Sequence, residues 1–223
     1  MKLRSLAVAR VGLTAAAALA VAALAACGRD QAPPPPETAA VEIEKIHVRT
    51  PDDGQILVTF RLTADDVTVL FDDQGRQRLL RGRRDGDAKQ RRYHERGAGA
   101  VALARPNPEA RTLTVRRPGG ELRWRVRFGK HRILVADHPE LPAFELRQPN
   151  DETVRVRYEG GAELGRVVFG RGDPIIQVRG PGGEVLFRAR GERRSELYGV
   201  LLVPDLDPVE RYVLMAELLL REE

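Results

Sequence analysis

The stretch Leu122-Arg-Trp-Arg-Val-Arg-Phe128 alternates apolar and basic residues without a break. Val154-Arg-Val-Arg-Tyr158 repeats the same pattern further along the chain. Because successive side chains of a β-strand point to opposite faces, each stretch has one apolar face and one charged face. This arrangement is typical of an antiparallel sheet that contacts water on one side. The sequence therefore predicts a mainly β fold.

Turn-forming residues divide the chain after residue 41 into units of 20 to 23 residues; the turns are centred on residues 54, 75, 97, 120, 141, 161 and 183. This spacing fits one hairpin per unit, and it predicts an antiparallel meander of about 12 to 14 strands. Closure into a barrel is expected, because an open meander exposes edges that promote aggregation. Pro139, Pro142 and Pro149 interrupt the fifth unit, which we expect to form an edge or a crossover.

The C-terminal segment has a different pattern and predicts a helix over 208–221. Asp207 is suited to the N-cap, Pro208 to the first helical position and Glu210 to the third. Apart from a narrow stripe with Glu210, Glu217 and Arg221, the helix is apolar on nearly all sides. Its rise of about 21 Å is too short to cross a bilayer. We therefore expect it to be buried inside the barrel. The alternative is packing across one open end or one sheet face.

Serial hairpins with turns such as Asp72-Asp-Gln-Gly75, followed by the apolar helix Tyr212-Val-Leu-Met-Ala-Glu-Leu-Leu-Leu220, resemble the tubby-like superfamily. That superfamily includes tubby C-terminal domains, phospholipid scramblases and the plant LURP-one-related proteins. The resemblance covers about residues 55–221 and implies a barrel of about twelve strands wrapped around its C-terminal helix. Members are associated with membranes and phosphoinositides. No binding motif of theirs matches this chain residue by residue, so the ligand is not carried over.

The N-terminus contains Leu24-Ala25-Ala26-Cys27 after a basic start and a sixteen-residue, mainly apolar run from Val11 to Ala26. These features indicate a secretory signal and resemble the bacterial lipobox. The resemblance implies cleavage before Cys27, a diacylglycerol on its sulfur and a further acyl chain, such as palmitate, on its amino group. The alternatives are an ordinary signal peptide or a transmembrane helix, for which the run falls short of about 20 residues.

Three segments follow from this interpretation: a signal peptide (1–26), lipidated Cys27 with a Pro-rich tether (27–40) and a barrel domain (41–223). The tether has a reach of roughly 40 Å in the polyproline conformation. Gly28 stands where Asp would signal inner-membrane retention under the enterobacterial sorting rule. By that resemblance we expect a cell-envelope protein held in the outer membrane and facing the periplasm.

Composition excludes several classes of site. The signal contains three of the 37 Lys and Arg residues and no acid, leaving 34 basic and 32 acidic residues, so no nucleic-acid partner is expected. Once Cys27 is lipidated, no cysteine remains for a disulfide, a zinc site or a thiol nucleophile. Ser195, the other serine besides Ser5, lies outside a nucleophile elbow. We therefore expect no cofactor, no metal and no catalytic constellation.

The histidines and the paired aspartates are the remaining residues that could bind a metal ion. His131 and His138 are seven residues apart with Asp137 beside the second, which is wider than the usual zinc spacing. The pairs Asp65-Asp66 and Asp72-Asp73 lack the spacing of an EF-hand loop. Turn residues explain both patterns more simply.

One stretch, residues 76–96, has nine basic residues and three acidic ones. Within it, Arg81, Arg83, Arg84, Arg91 and Arg92 are candidate ligands for anions, since guanidinium groups suit phosphate and carboxylate. The alternative is a solvated outer face. The leading interpretation is a lipid-anchored, non-enzymatic binding or scaffolding module for an anionic lipid, a glycan or an envelope protein. A lipid-handling or scramblase-like protein, and an enzyme with a site near His131, Asp137 and His138, remain alternatives.

Overall fold

In a computed structural model, the described residues are 44–63, 66–86, 88–170, 174–190 and 195–221. The predicted signal peptide (1–26) and the tether with Cys27 (27–40) lie outside these ranges. Asp65 of the aspartate pairs is also outside them.

The described chain contains fourteen antiparallel strands in a closed barrel, as predicted. Each strand pairs with its neighbours in sequence, and β1 pairs with β14 to close the sheet. The strands are β1 (Glu44–Arg49), β2 (Ile56–Leu62), β3 (Asp66–Asp73), β4 (Arg76–Asp85), β5 (Ala88–Glu95), β6 (Gly99–Asn107), β7 (Thr112–Arg116), β8 (Leu122–Phe128), β9 (Arg132–Ala136), β10 (Phe144–Asn150), β11 (Thr153–Tyr158), β12 (Glu163–Phe169), β13 (Ile175–Arg179) and β14 (Val185–Arg190).

The seven predicted turns are confirmed, because each lies between an odd-numbered strand and the next even-numbered one. The expected edge or crossover in the fifth unit is wrong. Strands β9 and β10 pair with each other and with both outer neighbours. Pro139 and Pro142 lie in the connection between them, and Pro149 lies where the register of β10 and β11 is irregular. None of the three prolines therefore interrupts the regular part of the ladder.

The C-terminal helix α1 (Pro208–Leu219) is inside the barrel. The Tyr212 ring lies 6.4 Å from that of Phe60 on β2 and 4.6 Å from that of Phe71 on β3. Glu210, two residues earlier, contacts Trp124 on β8, across the barrel. The helix ends two residues before the predicted limit. It begins as predicted, since the Asp207 carboxylate accepts hydrogen bonds from the Val209 and Glu210 amides.

A short 3₁₀ helix (Glu196–Leu202), which the sequence analysis did not predict, shares the interior with α1. Ser195 is its N-cap, with Oγ accepting from the Leu197 amide at 3.3 Å. The helix packs against β10 to β13. Gly199 permits this approach, because an added Cβ would lie 2.8 Å from both Leu146 and Val156.

Arg211 connects the 3₁₀ helix to α1. Its guanidinium donates to the carbonyl oxygens of Val203, Pro204 and Leu206 at 3.0 to 3.3 Å. Burial lowers the pKa of this guanidinium. The loop carbonyls, which no strand could pair, are thereby satisfied inside the fold.

Within the described ranges, none of the helices combines the length and the apolar character needed to cross a membrane.

We predict that deleting residues 207–223 abolishes cooperative folding, because the deletion empties a wide barrel of a helix whose residues from Tyr212 to Leu219 are buried. The measurement is thermal unfolding of mature chains 27–206 and 27–223, both with Cys27→Ser. A soluble 27–206 chain that melts cooperatively would show that the helix is dispensable.

Candidate anion-binding surface

The arginines predicted on β4 and β5 divide between two faces of the barrel wall. Arg81 and Arg83 on β4 and Arg92 on β5 are exposed on the outer face, where Arg83 and Arg92 are directly opposite each other. Both members of this pair have an acidic partner: Arg83 lies 3.3 Å from Asp66, and Arg92 lies 2.9 Å from Asp85. Their charges are thus partly balanced.

Arg84 is two residues after inward-facing Gly82 and so lies on the same side of β4, but it is exposed because the strand ends there. It is directly opposite Arg91 on β5. The predicted surface on this side therefore consists of three outer-face arginines and one near the end of its strand.

The prediction that Arg91 lies on the outer surface is wrong, because its side chain points into the barrel. Its Nη1 lies 3.0 Å from Oε1 of Glu217 on α1, and the two side chains are 11% and 4% exposed. Tyr93, two residues along β5, donates its hydroxyl to the same oxygen at 2.7 Å. Burial, followed by the charge of Glu217, raises the pKa of Tyr93 well above its ordinary value.

Gly82 makes space for this arrangement. A Cβ at residue 82 would lie 2.6 Å from the Tyr93 ring, 2.8 Å from Val67 and 2.9 Å from the Arg91 side chain. A residue with any side chain would displace the groups that bind Glu217.

Glu210, in the first turn of α1, is bound in a similar way to Glu217, by one arginine and one aromatic donor. Arg123 Nε donates to its Oε1 at 2.6 Å, and Trp124 Nε1 donates to its Oε2 at 3.0 Å. Arg123 was expected on the outer face with Arg125. A bulge changes this, since β7 pairs with Leu122 and then with Trp124, leaving Arg123 without a partner residue.

We predict that Arg91→Met destabilises the fold by about 3 to 5 kcal/mol, because Glu217 is left as a buried charge without its cation. Denaturant titration measures this. Arg92→Gln is the matched control on the neighbouring, exposed position, with an expected change within about 0.5 kcal/mol. In the double variant Arg91→Met/Glu217→Met, part of the loss should be recovered. Equal stability of the Arg91 and Arg92 variants would contradict the buried ion pair.

The three residues considered for an enzymatic site do not converge. His131 is exposed before β9, and Asp137 lies 3.0 Å from Arg125. The His138 side chain, by contrast, is only 2% exposed and stacks on Trp124 with 4.3 Å between ring centres. Across the described ranges, no group of three His, Cys, Asp or Glu side chains could hold a metal ion.

His138 is held in its neutral form by its neighbours. Its Nδ1 accepts hydrogen bonds from the Glu140 and Leu141 amides at 3.1 and 3.0 Å, so this nitrogen carries no proton. Its Nε2 lies 3.3 Å from Glu210. Burial and the positive charge of Arg123 lower its pKa, while Glu210 and Glu140 act in the opposite direction.

Because the folded-state pKa of His138 is below the unfolded value, its contribution to stability is present above about pH 6.5 and is lost on acidification. We predict that the free energy of unfolding falls between pH 7 and pH 5 more steeply in the parent than in His138→Asn, which keeps an acceptor near Nδ1. Denaturant titrations at each pH measure the slope. His131→Asn, at an exposed position, should keep the parental slope; an unchanged slope in His138→Asn would refute the prediction.

The structure also reveals a surface that the sequence analysis did not identify. The outer face of β9 to β13 presents an arginine row, which we define as Arg132, Arg147, Arg155, Arg166 and Arg179. Each member lies directly opposite the next on the neighbouring strand. Like charges in this relation destabilise a sheet.

Most of the arginine row has no acidic partner. Arg132 pairs with Glu145 and Glu159. Arg179 donates to Gln177 and to the Gly183 carbonyl. Arg147, Arg155 and Arg166 are exposed, and among the described residues the side chain of each has neither an ion-pair partner nor a hydrogen-bond partner.

The adjacent row on the same face is arranged differently. Arg157 on β11 is directly opposite Glu145 on β10 and Glu163 on β12, so charges alternate there. Glu145 is buried between Arg132 and Arg157 and contacts both guanidinium groups. The barrel therefore balances charge in one row and leaves it unbalanced in the next.

Register explains why the sequence analysis missed the arginine row. Glu163 and Arg166 share the outer face although they are three residues apart, because a bulge at Leu164 shifts the pairing of β11 and β12. Gly165 permits the bulge: its φ is +141°, and an added Cβ would lie 2.2 Å from the Arg179 carbonyl oxygen. The sequence shows that β9 to β13 are rich in arginine, but it does not show that five of these arginines are aligned across the strands.

When this chain is compared with known protein families, with curated proteins and with solved structures, nothing matches. The lipobox and the resemblance to the tubby-like superfamily stay predictions.

Proposed function

We propose that this chain is a lipid-anchored protein of the bacterial cell envelope, acting as a non-enzymatic binding module for anionic ligands through the basic outer face of its barrel. The lipobox at Leu24–Cys27 supports the anchor and Gly28 the outer membrane. The tether from residue 27 to residue 40 gives the domain its reach from the lipid surface.

The arginine row is the observation that carries the binding function. Opposite charges across two strands stabilise a sheet by roughly 0.2 to 1 kcal/mol for each pair relative to two alanines, whereas like charges destabilise it. The neighbouring row, Glu145–Arg157–Glu163, meets that condition. A row of like charges does not meet this condition. Sequences that depart from such stabilising patterns are typical of functional surfaces.

The predicted surface on β4 and β5 is a weaker candidate for the same function. Arg81, Arg83, Arg84 and Arg92 are exposed, but Asp66 and Asp85 neutralise part of their charge. This surface lies seven strands from β11 and β12 in a barrel of fourteen, and so on the opposite side. It therefore offers a matched control.

Neither alternative function gains support from the geometry. Lipid handling needs an internal cavity, whereas buried residues of α1 and the 3₁₀ helix lie within the barrel. The residues considered for an enzymatic site are engaged elsewhere: Asp137 with Arg125, and His138 with Trp124 and backbone amides. A non-enzymatic module is the simpler proposal.

The test uses mature chain 27–223 with Cys27→Ser, which lacks the lipid. Binding is measured on dextran sulfate resin and on phosphatidylglycerol vesicles, with uncharged dextran and phosphatidylcholine vesicles as neutral supports, from about 0.02 to 0.5 M salt. We expect salt-sensitive retention on at least one anionic support and none on the neutral ones. Arg147→Gln/Arg155→Gln/Arg166→Gln should weaken it by more than Arg81→Gln/Arg83→Gln/Arg92→Gln. Absence of binding to both anionic supports at low salt would refute the proposal.

A further inference from the structure

We infer that the arginine row is a binding site for a linear acidic polysaccharide, which lies across β9 to β13 with its carboxylates facing successive arginines. This inference rests on the proposed anion-binding function and specifies its ligand. The inference depends on the order and spacing of the arginines, and not only on the positive charge of the surface.

The spacing of the row matches a polymer with one charge on each repeating unit. Neighbouring strands lie about 4.8 Å apart, so five directly opposed arginines span about 19 Å along one line. In a polymer of hexuronic acid, each sugar ring carries one carboxylate, and consecutive rings are separated by a comparable distance. A guanidinium group can donate two parallel hydrogen bonds to a carboxylate. Arg147, Arg155 and Arg166 have all of these donors available.

Across β11 to β13, the rows on either side of the arginine row offer no second line of unpaired cations. On one side, the row Glu145–Arg157–Glu163 is balanced and offers no second line of free cations. On the other side, Thr153, Val168 and Gln177 are directly opposite one another on β11, β12 and β13. Thr153 and Gln177 are polar and half-buried, and they suit the hydroxyl groups of a sugar chain.

Barrel curvature favours a flexible chain over a membrane surface. The row crosses four of the fourteen strand-to-strand intervals, which is more than a quarter of the circumference. A flat layer of headgroups that touches β11 would diverge from Arg132 and Arg179 at the ends of the row. A polymer can follow the curve and contact all five arginines.

Among the described residues, the row and its paired flanking positions on β10 to β13 lack the feature that a single-stranded nucleic acid would use. Such ligands stack their bases on aromatic side chains between the cationic groups. The five positions of the row are all arginine, and the flanking positions on either side are Glu145, Arg157 and Glu163, or Thr153, Val168 and Gln177. Charge without stacking surfaces fits an acidic sugar polymer.

The experiment is calorimetric titration of the mature chain 27–223 with Cys27→Ser, using oligogalacturonates from the dimer to the heptamer. Affinity should increase with each added ring up to about five rings and then level off, because the row has five arginines about 4.8 Å apart. The same oligomers with methyl-esterified carboxylates are the uncharged control and should not bind. An affinity that does not change with length, or equal binding of the esters, would overturn the inference.

Two triple variants separate the row from general basicity. Arg147→Gln/Arg155→Gln/Arg166→Gln should weaken pentamer binding at least about tenfold, because three exposed ion pairs are lost. Arg81→Gln/Arg83→Gln/Arg92→Gln removes the same charge from exposed positions on β4 and β5, on the opposite side of the barrel. It should weaken binding by less than about threefold. Thermal unfolding verifies that both variants fold, and equal losses in the two would refute a site in the row.

Binding to phosphatidylglycerol vesicles distinguishes the inference from the function on which it rests. If the row variant loses vesicle binding and the parent does not bind the pentamer, the row is a membrane surface; the polysaccharide is then wrong and the proposed function stands. If the parent binds neither vesicles nor any polyanion, both proposals fail. Pentamer binding that requires the row, at a salt concentration where vesicles are not bound, supports the polysaccharide.

Discussion

The fold depends on filling a closed barrel of fourteen strands. Eight strands leave an interior that side chains alone can fill, and sixteen or more leave an open channel, so a barrel of this size needs an internal element. The C-terminal part of the chain supplies it: the 3₁₀ helix packs on β10 to β13, and α1 contacts β3, β6 and β8. The apolar character of α1 on nearly every side follows from this position, because the wall surrounds it.

The same position explains the two carboxylates of the helix. Glu210 and Glu217 are seven residues apart and so lie on one side of α1. Each meets one arginine and one aromatic donor from the wall: Arg123 and Trp124, or Arg91 and Tyr93. Buried ion pairs contribute little net stability, because the charges lose their water, but removing one partner is costly. Two such pairs at separate points therefore fix the helix in one register and one rotation, which apolar contacts alone specify weakly.

The fold could be predicted because its determinants are local. Alternation within β8 and β11, a turn about every 22 residues and the Asp207-Pro208 start of α1 all act over a few residues. The partner of a charged residue depends on longer-range packing, and so does the face of a residue that lies at a bulge. Alternation along β5 places Arg91 on the inward face with Tyr93, but only the packing of α1 inside the barrel shows that its partner is Glu217. For Arg123 the decisive feature is a bulge. Alternation alone would have placed Arg123 on the wrong face.

Charged residues are therefore paired differently inside and outside this barrel. Inside, Glu210 and Glu217 both have an arginine partner, since an unpaired buried charge would prevent folding. Outside, water makes pairing optional, and the sequence pairs Arg157 with glutamates while leaving Arg147, Arg155 and Arg166 opposite one another. A single acidic residue at position 155 would balance the centre of the row without disturbing the core. Because this repulsion is small and could be removed by one substitution, the unbalanced row is the observation on which the proposed anion-binding function rests.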